Sequence, residues 1–192
     1  FALGNLQTAE THFNKVIREA PRNLNALRML AATQLRLGRP DDAAKTLAPI
    51  DLEKVEDPGV LALAGEIANA KKEFSRAAAY FDRAAALSPD SAAIRMQLGM
   101  VRLAQGDNRA MADLQAASEL VGADDRIESV IILNQLRQKQ FDAALDSIAA
   151  FEKKQPQSPL LWNYRGAAYI GKKDAAKARN SFNQALRLDP QF

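Results

Sequence analysis

Apolar positions along this chain recur with a short helical period nested inside a long one. Phe13, Leu47, Phe81, Leu114, Ile148 and Phe182 stand 34, 34, 33, 34 and 34 residues apart. Ala9, Ala43, Ala77, Ala110, Ala144 and Ala178 keep the same steps, as do Val16, Ile50, Ala84, Ala117, Phe151 and Ala185. Within a unit each trio falls at i, i+4 and i+7, the spacing of one helix face. A further column, Ala31, Gly65, Gly99, Ile132 and Gly166, precedes it by about a helix and a turn. Each unit therefore holds two helices, A and B, with a small residue on A where B crosses it closely.

Turn chemistry agrees with this reading. Asp41-Asp42, Glu73-Phe74-Ser75, Asp107-Asn108, Asp142 and Asp174 stand where B helices begin, and carboxylates favour the positive helix end. Pro21, Pro89, Pro156 and Pro190 stand where B helices stop. The pattern predicts helices over 5–19, 24–37, 41–48, 58–71, 74–87, 92–105, 108–120, 125–138, 141–154, 159–171 and 174–188. Pro49 cannot sit inside a regular helix, which predicts a break near Ala48 and a short turn capped by Asp51. The residue missing between Gly99 and Ala110 predicts a tighter turn there, and Ile132 in the glycine column predicts a wider hairpin over 125–154.

The last unit carries Trp162, Gly166, Tyr169, Ala178, Phe182, Ala185 and Pro190, and the unit 58–91 carries Leu61, Gly65, Ala77, Phe81, Ala84 and Pro89. With a helix pair every 34 residues, the whole chain resembles the tetratricopeptide repeat superfamily. The resemblance implies an all-α fold, a right-handed α-solenoid of stacked antiparallel helix hairpins. It implies one array over 1–192, made of a half repeat (1–23, helix B) and complete repeats 24–57, 58–91, 92–124, 125–158 and 159–192. Both ends interrupt the pattern, so a fragment of a longer array is expected, with apolar end helices open to self-association. Arg165 departs from the leucine usual at its position.

The runs Leu35-Arg36-Leu37-Gly38-Arg39-Pro40-Asp41-Asp42-Ala43, Gln97-Leu98-Gly99 with Arg102-Leu103-Ala104-Gln105-Gly106-Asp107, and Phe151-Glu152-Lys153-Lys154-Gln155-Pro156 resemble the repeat lipoproteins of PEP-CTERM/exosortase systems of Gram-negative bacteria. That resemblance implies a place in exopolysaccharide or surface-protein assembly, periplasmic or anchored at the outer membrane; without it the expected compartment is the cytoplasm. The lipid-bearing cysteine of such proteins is absent.

Chemistry is sparse. There is no cysteine and one histidine, His12, expected at the surface, so no catalytic, cofactor-binding or metal-binding residue is assigned and no cofactor is expected. No carboxylate pair is fixed as an acid/base couple and no glycine-rich phosphate loop follows a strand. A net charge of +3 gives no nucleic-acid footprint, and no apolar run is long enough to span a membrane. The first residues lack the basic and apolar regions of a signal peptide.

The function expected is a non-catalytic protein-interaction scaffold holding a protein or peptide partner in a concave groove. Its lining, projected from the column register, is Asn25, Arg28, Arg36, Glu66, Asn69, Met96, Met100, Arg126, Ser129, Leu133, Arg137 and Asn163, with Ala32, Leu35, Leu103, Ala167 and Ile170 between them. Methionines offer adaptable apolar surface and arginines bind carboxylates. The lysine/asparagine clamp that some family members use for peptide termini is not found. Two other readings are a targeting region of a larger enzyme, such as a glycosyltransferase, and a binder of anionic polymer through a basic rim. That rim would comprise Lys71-Lys72, Arg137-Lys139 and Lys172-Lys173, at A-helix ends where cations also complement the helix dipole. Trp162 and Tyr169 are expected in the core.

Overall fold

The computed structural model describes residues 2–121 and 125–191. The repeat junction at 122–124 and the terminal residues Phe1 and Phe192 lie outside the described residues. Among the described residues the chain is all helix: α1 (Ala2–Glu19), α2 (Leu24–Arg36), α3 (Pro40–Leu47), α4 (Pro58–Ala70), α5 (Phe74–Leu87), α6 (Ala92–Gln105), α7 (Ala110–Val121), α8 (Asp125–Arg137), α9 (Phe141–Lys154), α10 (Pro159–Gly171) and α11 (Ala175–Leu188). The even-numbered members are A helices and the odd-numbered ones B helices.

Three of the A helices start at a side-chain cap, whereas the residues before α3, α5, α9 and α10 make no such bond. Asn23, Asp57 and Ser91 precede α2, α4 and α6, and each side-chain oxygen accepts the N–H three residues on, at 3.0, 2.9 and 3.4 Å. Pro40, Pro58 and Pro159 occupy first-turn positions, where a missing N–H costs nothing. Proline at 49 ends α3 at Leu47, as expected, and Asp51 then caps one irregular turn: its carbonyl accepts from Lys54 and Val55, and its carboxylate from Glu53.

Every A helix ends in the same device. The N–H of Glu73 reaches the carbonyl of Ala68 and that of Lys72 the carbonyl of Asn69, the paired bonds of a Schellman cap. Arg39/Gly38, Asp107/Gly106, Gln140/Lys139 and Asp174/Lys173 repeat it. The turn residue has positive φ at Gly38 (74°), Lys72 (62°), Gly106 (71°), Lys139 (59°) and Lys173 (61°). Glycine takes that conformation freely, whereas a side chain costs about 1 kcal/mol there.

One expectation about a turn fails. The residue missing before Ala110 does not tighten the turn after α6. Four residues, 106–109, separate α6 from α7, against three in the other A–B turns. The shortening falls on the first turn of α7, where Asp107 folds back instead: its carboxylate accepts from the Arg109 N–H at 2.9 Å and from the Arg109 guanidinium at 2.7 Å. That pairing lowers the Asp107 carboxyl to about 2.

The chain divides into two compact units, Phe1–Asp113 and Leu114–Phe192. In the first, each helix from α1 to α5 packs on its successor, and α2 also meets α4; in the second, α8 to α11 pack serially and α8 meets α10. The core of each unit is the predicted ladder. Leu47, Phe81, Leu114 and Ile148 are buried, as are Ala43, Ala77, Ala110, Ala144 and Ala178, while Phe13 and Phe182, at the two ends of the column, are half-buried. Gly65 has the Phe81 ring against it and Gly166 the Phe182 ring, so the small A residue accommodates the large B residue. Ile132, buried in place of glycine, meets the smaller Ile148 rather than a phenylalanine.

Candidate functional site

The A-helix face of the first unit gathers the residues read from the register. Arg28, on α2, lays its guanidinium across the start of α4. A Cβ on Gly59 would lie 2.6 Å from its Nη1, so glycine leaves the space the guanidinium fills. Its Nε is buried and has no hydrogen-bond acceptor. Further along, Glu66 is half-buried beside Arg36; burial pushes its carboxyl above the usual carboxylate range, and the Arg36 guanidinium opposes that shift. Asn25 is exposed, Asn69 and Met96 are half-buried, and Met100 is 43% exposed. Met29, which the register reading left out, is as open as Met100.

The second unit shows the same kind of face. Leu133 is 50% and Ile170 58% exposed, the two most open large apolar side chains of the molecule among the described residues. Arg126 and Arg137 are exposed around them, Ser129 and Asn163 half-buried, and Arg137 donates to Asn134 Oδ1 at 3.1 Å. Asn25 to Met100 belong to the first unit and Arg126 to Asn163 to the second.

Two of the six rim cations, Lys71 and Lys172, are paired internally. Lys71 lies 3.0 Å from Asp41 and 3.4 Å from Glu73, and these carboxylates raise its pKa, the Asp41 hydrogen bond most. Lys172 pairs with Asp142 in the same register, and Gln105 reaches Ser75 there at 3.0 Å. Lys72, Lys139 and Lys173 occupy the positive-φ turn position described above. His12 is exposed, as expected.

Two polar clusters escaped sequence reading because each joins residues from different helices. Arg102, 5% exposed, reaches Asp113 at 2.5 Å and Asp82 at 2.6 and 2.9 Å, tying α6 to α5 and α7. Ser118 donates to the buried Glu128, which Lys154 approaches at 3.4 Å. Among the described residues, no group of three or more histidines and carboxylates is placed to hold a metal, and no helix is long and apolar enough to cross a membrane.

The expected core placement of Trp162 and Tyr169 is corrected. Both are half-buried and border an open furrow, because the facing position on α11 is the small Ser181. Arg165 stacks 4.4 Å from the Trp162 ring while holding Glu152, and Lys177 lies 5.4 Å from the Tyr169 ring.

Models of the tetratricopeptide repeat family match residues 1–67, 62–122 and 159–192. The chain belongs to the tetratricopeptide repeat superfamily. Solved structures share its α-solenoid fold. One is YrrB, described as a tetratricopeptide repeat protein with an unusual peptide-binding site (20% identity, 93% of this chain and 92% of that one, TM-score 0.72). A second is MamA from residue 41 onward of Desulfovibrio magneticus RS-1 (21%, 87% and 95%, 0.72). A third is a thermophilic tetratricopeptide repeat protein of Thermus thermophilus (26%, 86% and 92%, 0.63). No curated protein matches the chain. Open apolar side chains occur on both helix sets, Met29, Met100, Leu133 and Ile170 on A helices and Leu87, Leu120 and Leu186 on B helices, while the B-helix columns carry the buried ladder.

Proposed function

We propose that this tetratricopeptide repeat protein is a non-catalytic scaffold that grips a peptide or helix of a partner protein on its A-helix face. The five complete repeats and leading half repeat read from the period are its units. The observation that carries this is the state of Arg28. Its buried Nε is left without an acceptor, as is that of Arg102, so a partner carboxylate would meet the outer edge of the half-buried guanidinium rather than Nε. Open apolar side chains on A helices, Met29 and Met100 in one unit and Leu133 and Ile170 in the other, supply surface for apolar side chains of the partner. YrrB, similar in fold, is described by its peptide-binding site, which supports a peptide ligand here.

The finer proposal places this scaffold in envelope assembly in a bacterium, alongside exopolysaccharide or surface-protein export, on the strength of the sequence runs quoted above. The reading as a binder of anionic polymer is not favoured, because Lys71 and Lys172 are already neutralised by Asp41 and Asp142. Affinity purification from envelope extract, repeated with Arg28→Ala, Met96→Ala and Arg137→Ala combined, tests the scaffold. The proposal expects loss of the captured partner; full capture by the triple variant contradicts it.

A further inference from the structure

The furrow beside Trp162 has a counterpart in the first unit, and the two are in opposite states. By repeat register, Ala44, Ala64, Ala68 and Tyr80 correspond to Leu145, Arg165, Tyr169 and Ser181. Both sets line a furrow between consecutive B helices, floored by the A helix between them. In the first unit only about 60 Å³ remains open, whereas in the second about 440 Å³ does.

The difference is a stretch of chain. Because Pro49 ends α3 early, residues 48–57 leave the helix and run back as an irregular strap. Leu52 enters the furrow, and Ile50 and Val55 pack on the same core. Arg83, on α5, holds the strap by its backbone: its guanidinium donates to the carbonyls of Leu52, Glu53 and Val55, the last two at 3.1 Å. In the second unit α9 continues unbroken to Lys154, so no strap forms. The position of Arg83 is taken there by Gln184. Gln184 and its neighbour Asn180 line the furrow with no hydrogen-bond partner among the described residues.

We infer that the furrow formed by α9, α10 and α11 is a second peptide-docking site, which takes a turn-forming segment of a partner protein as residues 48–57 fill the equivalent furrow of the first unit. The segment offers a leucine-sized side chain to the space beside Trp162 and Tyr169. Its backbone carbonyls face the amides of Gln184 and Asn180. The seated strap of the first unit defines this chemistry: an apolar anchor, carbonyls turned to one side, and acidic flanks such as Asp51 and Glu53. Arg165 and Lys177, at the furrow's edge, are already paired with Glu152 and Asp174, so they add little attraction for such flanks. This site is separate from the A-helix face and stands or falls without it.

Trp162 is the only tryptophan of the chain, so its emission reports the furrow. The probe is a synthetic decapeptide with the sequence of residues 48–57, titrated into the full chain. A saturable change in emission is expected, absent for the same peptide carrying Leu52→Asp. Ser181→Tyr closes the furrow as Tyr80 does and should weaken binding at least tenfold, with helical circular dichroism confirming the fold. Gln184→Arg restores the clamp of Arg83 and should tighten binding roughly tenfold, the scale of hydrogen bonds to a charged donor; this variant decides the matter if Ser181→Tyr does not fold. The Arg28→Ala, Met96→Ala pair should leave this binding unchanged. No emission change at millimolar peptide, equal affinity in Gln184→Arg, or undiminished affinity in a folded Ser181→Tyr protein overturns the inference. So does an emission change that tracks chain concentration without peptide, which would make the occupant a second copy.

Discussion

Gly65 and Phe81 share one space: a Cβ on Gly65 would sit 2.9 Å from Cε1 and Cζ of the Phe81 ring, which is wholly buried. Alanine at 65 gains up to about 1 kcal/mol of helix propensity but forces the ring aside, and overpacking costs about 1–3 kcal/mol. The first complete repeat shows the alternative pairing, Ala31 with Leu47. The two substitutions Gly65→Ala and Phe81→Leu should therefore be coupled. A double-mutant cycle in urea should show the pair more stable than the sum of the singles by about 1 kcal/mol or more. Simple additivity would contradict the packing.

The turn lysines give a prediction of opposite sign to most core changes. Lys72, Lys139 and Lys173 hold positive φ that glycine would adopt without strain. Replacing each singly with glycine should stabilise by about 0.5–1 kcal/mol, and Gly38→Ala should cost about 1 kcal/mol. Thermal melts of the four variants check this, and a loss of stability in all three lysine variants would refute it.

Glu66 sets a pH dependence. Its folded pKa lies above the ordinary 4.5 because burial disfavours the charged form. A carboxyl raised in this way contributes stability fully below its unfolded value, and the contribution is lost as pH rises through the folded value. Glu66→Gln should therefore melt higher than wild type near neutral pH, the two converging below about pH 4. Melting curves that differ equally at both pH values would contradict the assignment.

Arg102 needs its carboxylates. Asp113 is mostly buried against it, while Asp82 is half exposed. Without Asp113 the buried guanidinium keeps only the more exposed Asp82 and Asp107, so Asp113→Ala should destabilise the chain by about 2 kcal/mol, less than the cost of a wholly unpaired buried charge. Asp82→Ala, its charge screened by water, should cost about 1 kcal/mol or less. Chemical denaturation of the two variants separates them.

The helices were legible because three apolar columns share one register, and register survives even where Ile132 replaces glycine. Helix ends at Leu47 and Lys154 followed from Pro49 and Pro156. The turn after α6 was misjudged because a missing residue can shorten either a turn or a helix, and only the Asp107–Arg109 contact selects the second. A lysine in a positive-φ turn looks like any helix-end cation, so the role of Lys72 was invisible beside its charge. Trp162 and Tyr169 match core positions of the family, yet their burial depends on what faces them, and Ser181 is too small to cover them. The A-helix face could be projected residue by residue, but the orphaned Nε of Arg28 needed coordinates.

Photo-crosslinking in the cell tests the central claim most directly. A benzophenone amino acid placed at Met100 or at Leu133, both open on A helices, should form covalent adducts with a partner protein, while the same group at the exposed Gln115 on α7 should not. Adducts confined to the two A-helix positions are the expected result; adducts equally at Gln115, or at none of the three, would contradict a scaffold that binds through its A-helix face.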